Sequence, residues 1–385
     1  MKIVVHVKLI PEADQAAALS ATLRAVNQAA DWVSVVAFER GVPREYELRK
    51  HTYGALRSQG LGAQAAQHTI KKVRDAYTAL KANVKAGNLG KPGSRRRVKA
   101  ETKPITFRPD AAHPYDDRCL SWQYEAQTVS IWTVAGRLKD VRFTGSADAL
   151  ATLREHRKGE ADLIERDGEF YLIATCEVPE AEIYEPDGFV GVDLGIVNIA
   201  TSSTGYQAAG RQLGRYRKRQ ISLRAKLQKK RTQSAKRRLK ERSRREQRHV
   251  RNTNHIIAKT IVTEAERTSS GIALEELRGI RQRVRLRKPQ RVTLHSWAFA
   301  QLGDFIVYKA RRAGVPVIFI DPAHTSQQCC ECGHIDKKNR ASQALFTCRN
   351  CGVVAHADRN ASRNIARRGE AAWTAGRESR VPATS

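Results

Sequence analysis

The chain opens with an alternation. Ile3, Val5, Val7 and Leu9 fall on one side of an extended backbone, with Lys2, His6 and Lys8 opposite. That two-residue period predicts a half-buried strand over 2–10. Pro11 ends it and can open a helix. Leu19, Leu23, Val26, Ala30 and Val33 then recur at helical spacing as far as Phe38. Residues 43–87 repeat that spacing in two segments split near Gly60 and Gly62, so two more helices are expected. Residues 88–104 break the pattern with Gly, Pro and basic residues and read as a linker. From 105 to 180 the period changes again. WQYEAQTVSIWTV, RLKDVRFTG and EFYLIATCEV are β-rich and separated by turn residues. A β-barrel with helices inserted after its first strand is one economical arrangement of this half.

The second half begins at Pro186. FVGVDLGIVNIATSSTG reads as two strands joined by a tight turn. A long basic stretch and a helix near 252–268 follow, then a buried strand in SGIALEEL. An amphipathic helix over 293–313 carries Trp297, Leu302, Phe305 and Ile306 on its apolar side, and VPVIFI is a further buried strand. Strands alternating with helices predict an α/β sheet covered on both faces. A last helix is expected from Asn360 to Arg368, closed by Gly369, with 371–385 as a frayed tail.

Charge sharpens this picture. The 385 residues hold 69 Lys+Arg against 39 Asp+Glu, a net charge of +30. The longest apolar runs are too short to span a bilayer, and the N-terminus lacks a signal-peptide core, so a soluble intracellular protein is expected. Such an excess requires a polyanion, and nucleic acid is the obvious one. Residues 211–251 contain 19 Lys/Arg and 2 Glu, a net +17. Leu213, Tyr216, Ile221, Leu223, Leu227 and Leu239 thread a thin apolar seam through them, which predicts a long helix or a helical hairpin, basic on most faces. Its expected nucleic-acid contacts are Arg215, Arg217, Lys218, Arg219, Lys229, Lys230, Arg231, Arg237, Arg238, Arg244 and Arg245. Smaller basic clusters lie at 91–99 and 278–291.

Five of the seven cysteines fall between Cys329 and Cys351. Cys329 with Cys332, and Cys348 with Cys351, form two C-x-x-C knuckles, each followed by glycine. Thiolates at this spacing can hold one tetrahedral Zn²⁺, and the glycine lets the turn close beneath it. Cys330 occupies an intervening position. Cys119 and Cys176 read as small buried residues. A ribbon of this kind is structural and does not by itself make an enzyme.

Three acids carry the candidate chemistry. Asp193 ends the buried run Phe189-Val190-Gly191-Val192, where α/β sheets place their ligands. Glu275 ends Ile272-Ala273-Leu274. Asp358 follows the second knuckle and opens the last helix. Singly, each has an ordinary explanation as a cap or an exposed acid. Together they could converge on hard divalent cations. Two Mg²⁺ ions about 4 Å apart would activate a water and stabilise the leaving oxygen in phosphodiester hydrolysis.

GVDLGIVNIA, IALEEL and HADRNASRNIA resemble the three motifs of RuvC-like, RNase H-fold nucleases. Their order, with basic helices after the first and a zinc ribbon before the third, is similar to that of the TnpB family. These are transposon-encoded RNA-guided nucleases related to type V CRISPR effectors. The likeness is tight over 189–205 and 325–366 and loose over 40–180. It assigns Asp193, Glu275 and Asp358 to the metal-binding acids, and Cys329, Cys332, Cys348 and Cys351 to the zinc. Asn198 and Asn360 match polar positions of the first and third motifs. Where the family often has Asp-Arg before the third acid, this chain has His356-Ala357. Glu276 stands one residue from the second acid, so a one-residue shift is the alternative there.

The resemblance implies an α+β multidomain protein. A β-barrel wedge domain (1–10 and 100–185) would carry an inserted helical recognition lobe (11–99). A RuvC-like nuclease domain (186–324 and 354–370) would carry the zinc ribbon (325–353). It further implies Mg²⁺-dependent cleavage of double-stranded DNA directed by a guide RNA from the element, beside a short adjacent motif. The expected form is a monomer with its RNA in the bacterial cytoplasm, nucleoid-associated when on DNA. Alternatives are a type V CRISPR-like effector, a nuclease-silent RNA-guided regulator, and a generic zinc-ribbon RNA-binding protein.

Overall fold

The structure, a computed structural model, describes residues 1–41, 44–277, 299–342 and 344–378. The basic cluster 278–291, the expected helix start at 293–298 with Trp297, and the end of the tail at 379–385 lie outside the described residues. The chain forms two compact units, Met1–Val178 and Pro179–Ser385. The division thus falls before the Pro186 read from sequence. Residues 179–187 are tied into the second unit: the Tyr184 hydroxyl donates to the Ser270 carbonyl at 2.8 Å, and the Asp187 N–H to Ser269 at 2.9 Å.

In the first unit the expected strand β1 (Lys2–Ile10) buries Val5, Val7 and Leu9. It joins β2 (His113–Tyr115), β3 (Leu120–Gln123), β4 (Thr128–Thr133), β5 (Gly136–Thr144), β6 (Arg157–Arg166) and β7 (Glu169–Glu177) in one antiparallel sheet of order β2-β6-β7-β1-β5-β4-β3. The two end strands are joined by residues 116–119 alone. Laid flat, six spacings would part them by about 29 Å, yet the five steps from Tyr115 to Leu120 reach only about 18 Å. The sheet therefore curls until its ends nearly meet, in keeping with the barrel expectation.

Helices α1 (Ala13–Glu39), α2 (Glu45–Ser58) and α3 (Ala63–Lys85) follow the predicted spacing and share a core of Val26, Val33, Leu48, Leu56, Ile70 and Val73. Two helices correct the sequence reading. Residues 95–102, read as linker, form α4 (Arg95–Thr102): they lack Gly and Pro, and Arg97 pairs with Glu101 one turn on at 2.8 Å. Helix α5 (Ala147–His156) interrupts the β-rich stretch, its N-terminus capped by the Ser146 hydroxyl, which accepts from the Ala149 N–H.

In the second unit β8 (Phe189–Asp193), β9 (Asn198–Ser202), β10 (Gln207–Ala209), β11 (Gly271–Glu275) and β12 (Val317–Ile320) form a sheet of order β10-β9-β8-β11-β12, with β8, β11 and β12 parallel. The basic stretch is a hairpin. Helix α6 (Arg211–Lys230) ends at Arg231, whose left-handed φ of 52° turns the chain, and Thr232 caps α7 (Gln233–Arg267) by accepting from the Ala235 N–H. Helix α7 and α8 (Phe299–Ala313) cover one face: Val190, Val192, Ile272 and Leu274 meet Ile257, Ile261, Leu302 and Ile306.

The opposite face takes α9 (Ala357–Glu378). Phe189, Gly191 and Ala273 alternate toward it, and Ala273 packs with Ile320 and Ile365. At Gly191 a Cβ would run into the Ser362 carbonyl oxygen and the Ala366 nitrogen, so helix backbone lies directly on strand backbone. Gly369 does not close the helix as expected. A Cβ there would come within 2.5 Å of the Ala273 Cβ, and the helix runs on to Glu378 through part of the presumed tail. Its glycine is a packing residue, which the periodicity could not distinguish from a stop.

Gly191→Ala is expected to cost about 3 kcal/mol or more by forcing α9 off the sheet. Gly214→Ala, with nothing within 4 Å of the new Cβ, should gain up to about 1 kcal/mol. Thermal melts of the two variants check the contrast.

Candidate active site

Strand parity gathers the acids. Asp193 and Glu275 share the alternation of Gly191 and Ala273 and so face α9. The parallel ladder pairs Val192 with Leu274, so one step further Asp193 stands beside Glu275. Asp358, in the first turn of α9 and 4% exposed, completes the group. Burial and the charges of Glu275 and Asp358 raise the Asp193 carboxyl to about 7. Burial also raises Glu275, opposed by a hydrogen bond from Thr325. Glu275, rather than Glu276, is the neighbour that crowds Asp193.

Two of the acids, Asp358 and Glu275, are held from outside their own strand or turn. The Asn198 amide donates to Asp358 Oδ2 at 2.9 Å, and Arg340 donates to Oδ1 at 3.2 Å. The Thr325 hydroxyl donates to Glu275 Oε1 at 2.5 Å. Among the described residues, the four cysteines are the one group of potential ligands whose donor atoms all lie within 4.8 Å of one another. An all-oxygen donor set with excess negative charge suits hard divalent ions.

Sequence reasoning missed several contributors. Asp321, which raises Glu275, directly follows β12, a strand read from sequence as buried but one in which only Ile320 is. Thr325 opens the stretch 325–366 over which the likeness is tight, but nothing there gave it a role. Arg340 comes from the loop between the knuckles, and nothing local in the sequence marks it.

The four thiols meet as their spacing predicts. Cys329 and Cys351 Sγ are 3.7 Å apart, and Cys332 and Cys348 3.5 Å. The two knuckles repeat one fold. The Cys329 N–H donates to His334 and the Gly333 N–H to Cys329; the Cys348 N–H donates to Val353 and the Gly352 N–H to Cys348. Gly333 and Gly352 have φ of 76° and 72°, the left-handed turn that glycine permits. The His334 backbone N–H draws Cys332 down to about 6. Cys351 goes up to about 12: the Val353 N–H favours its thiolate, but the other three sulfurs crowd it. A cation shared by all four removes that opposition. Strands β13 (Leu345–Thr347) and β14 (Val354–His356) pair beneath the second knuckle.

Helix α9 also grips the first knuckle. Asn360 accepts from the Cys330 N–H at 2.9 Å and donates to Gln328 at 2.7 Å. Asn364 donates to the Thr325 and Gln328 carbonyls, and Arg367 to that of Cys330. The helix that presents Asp358 therefore seats the cysteine cluster.

On the hairpin, Arg215, Lys218, Arg219, Lys229, Lys230, Arg231, Arg237, Arg238 and Arg245 are exposed, and Arg244 is half-buried. Arg217 departs from the expectation. It is 8% exposed, and burial lowers its pKa against the pull of Glu246. It lies on the α6 side that the seam residue Leu213 shares, one turn away, so it serves the hairpin's packing rather than its outer surface. Among the described residues no helix is long and apolar enough to cross a membrane.

The fold and site thus join three acids at strand and helix ends to a four-cysteine cluster. A family model described as Cas12f1-like, TNB domain, matches residues 299–365, from α8 through both knuckles into α9. "CRISPR-associated endodeoxyribonuclease Cas12f1" of Sulfoacidibacillus thermotolerans is 47% identical over 115 residues, 30% of this chain and 26% of that protein. "TnpB-like protein MJ0751" of Methanocaldococcus jannaschii is 36% identical over 122 residues, 31% of this chain and 43% of that protein. "Putative RNA-guided DNA endonuclease InsQ" of Escherichia coli K12 is 29% identical over 231 residues, 54% of this chain and 56% of that protein. The chain spans about a quarter to just over half the length of these relatives. The resemblance read from the motifs is borne out: the chain is a relative of the TnpB and Cas12f proteins.

Two outcomes test the site without catalysis. A carboxyl raised on folding binds its proton more tightly in the folded state, so stability is lost as pH rises from about 4 through about 7, by a few kcal/mol at most. Melting of the metal-free protein should fall over that window, Mg²⁺ should restore it most at the alkaline end, and Asp193→Asn should flatten the dependence. Separately, the protein should hold one zinc per chain, and Cys332→Ser should lose it, as read by metal analysis.

Proposed function

We propose that the chain is an RNA-guided DNA endonuclease of a transposable element. The observation that carries this reading is the convergence of Asp193, Glu275 and Asp358 from two parallel strands and a helix at one end of one sheet. The names of the TnpB-like and RNA-guided relatives support the substrate and the guide. The sheet order and the α9 packing support an RNase H-like, RuvC-type nuclease domain, with Cys329, Cys332, Cys348 and Cys351 as a zinc ribbon. Residues 1–10 and 100–185 would form the wedge domain and 11–99 the helical recognition lobe.

In this reading Asp193, Glu275 and Asp358 hold two Mg²⁺ ions. When bound, such ions supply an activated water and stabilise the leaving 3′ oxygen. Asn198 orients Asp358, and Arg340 brings positive charge to Asp358 and a donor for a phosphate oxygen. The exposed lysines and arginines of the α6–α7 hairpin hold phosphates and carry position rather than sequence. Guide pairing reads the target and the protein reads a short adjacent motif, the division of labour of guided nucleases. The protein would act in the cytoplasm as a monomer with its RNA, on the nucleoid when engaged. The 47% identity to a CRISPR-associated Cas12f1 favours one second reading, a type V effector, which a repeat array beside the gene would establish.

The purified protein with its co-purified RNA, given Mg²⁺ and a plasmid library, should cut at targets matching that RNA. Asp193→Ala, Glu275→Ala and Asp358→Ala should each lower cutting by about a thousandfold or more while RNA still co-purifies. Cutting that survives all three substitutions would falsify the active site, and the absence of a specific RNA would remove the guide. Binding should weaken steeply with salt.

A further inference from the structure

Glu275 is positioned by a residue that belongs to neither of the strands carrying the strand-end acids. Thr325 lies beyond β12, at the foot of the first knuckle, and is 3% exposed. Its hydroxyl lies 2.5 Å from Glu275 Oε1 and 3.1 Å from the Pro322 carbonyl. One proton serves both, and the charged acceptor takes the shorter bond. The backbone of Thr325 is itself fixed: the Asn364 amide, 2% exposed on α9, donates to its carbonyl at 2.9 Å and to the Gln328 carbonyl at 2.7 Å. A chain of contacts therefore runs from α9 through Asn364 and Thr325 to Glu275. It leaves from the helix that presents Asp358, and Gln328, the residue before Cys329, ties it to the first knuckle.

We propose that Thr325 is the positioning residue of Glu275: its hydroxyl fixes the carboxylate rotamer, leaves the second oxygen for a cation, and makes the second acid's geometry depend on the seating of the knuckle on α9. This rests on the reading of the three acids as a divalent-cation site. A glutamate has three rotors, and beside Asp193 mutual repulsion drives it outward. A single short hydrogen bond from a buried hydroxyl opposes that motion without adding charge. Asn198 and Arg340 act on Asp358, and Thr325 is the side chain that donates to Glu275.

The test uses the intact protein–RNA complex and reads metal binding apart from cleavage. Half-saturation by Mn²⁺, followed by electron paramagnetic resonance, should rise about tenfold or more in Thr325→Val, the range for loss of a ligand's supporting partner. Thr325→Ser, which keeps the hydroxyl, should recover most of it. Where wild type cuts DNA, the Mg²⁺ needed for half-maximal cutting should shift in step, with RNA binding unchanged. Wild-type Mn²⁺ affinity in the valine variant, or a serine variant as impaired as valine, overturns the proposal. If valine disturbs the ribbon and zinc is lost, the double variant decides. In a Glu275→Gln background Thr325→Val should add little further loss, whereas a full additive loss overturns the proposal. Failure of wild type to cut any DNA sinks the nuclease reading, and the Mn²⁺ titration still judges Thr325.

Discussion

The site depends on one close approach, the seating of α9 on β8 at Gly191. With no side chain at that position, helix backbone meets strand backbone, and the first turn of the helix arrives at the ends of β8 and β11. Asp358 is placed by that contact rather than by its own loop. The same helix then uses its next polar residues, Asn360, Asn364 and Arg367, to hold the first cysteine knuckle. Sheet, acid and ribbon are thus three surfaces of one packed helix. Gly369 repeats the device further along, against Ala273.

Electrostatics works against this assembly. Asp193 and Glu275 end adjacent strands and repel each other, and Asp358 joins them at a helix start, where the helix dipole favours a negative group. Hydrogen bonds from Asn198 and Thr325 hold Asp358 and Glu275 without adding charge, and Arg340, 3.2 Å from Asp358, offsets only part of the group's charge. The hairpin α6–α7 has the opposite problem. Its lysines and arginines repel one another, and it retains few internal partners, such as Glu246 with Arg224 at 2.7 Å. One region is short of cations and the other of anions.

Much of this was legible in the residues. Alternation in FVGVD and IALE fixed both strands and, through parity, the common face of Asp193 and Glu275. The C-x-x-C-G repeats announced the cysteine cluster because their ligands are local in sequence. What escaped was long-range or masked by composition. Arg340 reaches Asp358 only because the ribbon folds back on α9. Arg217 looks like its basic neighbours, and only the pairing of α6 with α7 buries it. Helix α4 hid in a basic, glycine-flanked stretch, and Gly369 looked like a stop because its partner Ala273 is nearly a hundred residues away.

The same helix sets a timetable for synthesis. Asn198 and Asp358 are 160 residues apart in the chain. At about 5–20 residues per second, the strand that carries Asp193 leaves the ribosome roughly 10–30 s before the helix that covers it. During that interval the face of Phe189, Gly191 and Ala273 has no lid, and the acids are not yet gathered. A nascent chain therefore holds an unfinished sheet beside a finished basic hairpin. The basic hairpin is thus complete before the three carboxylates come together.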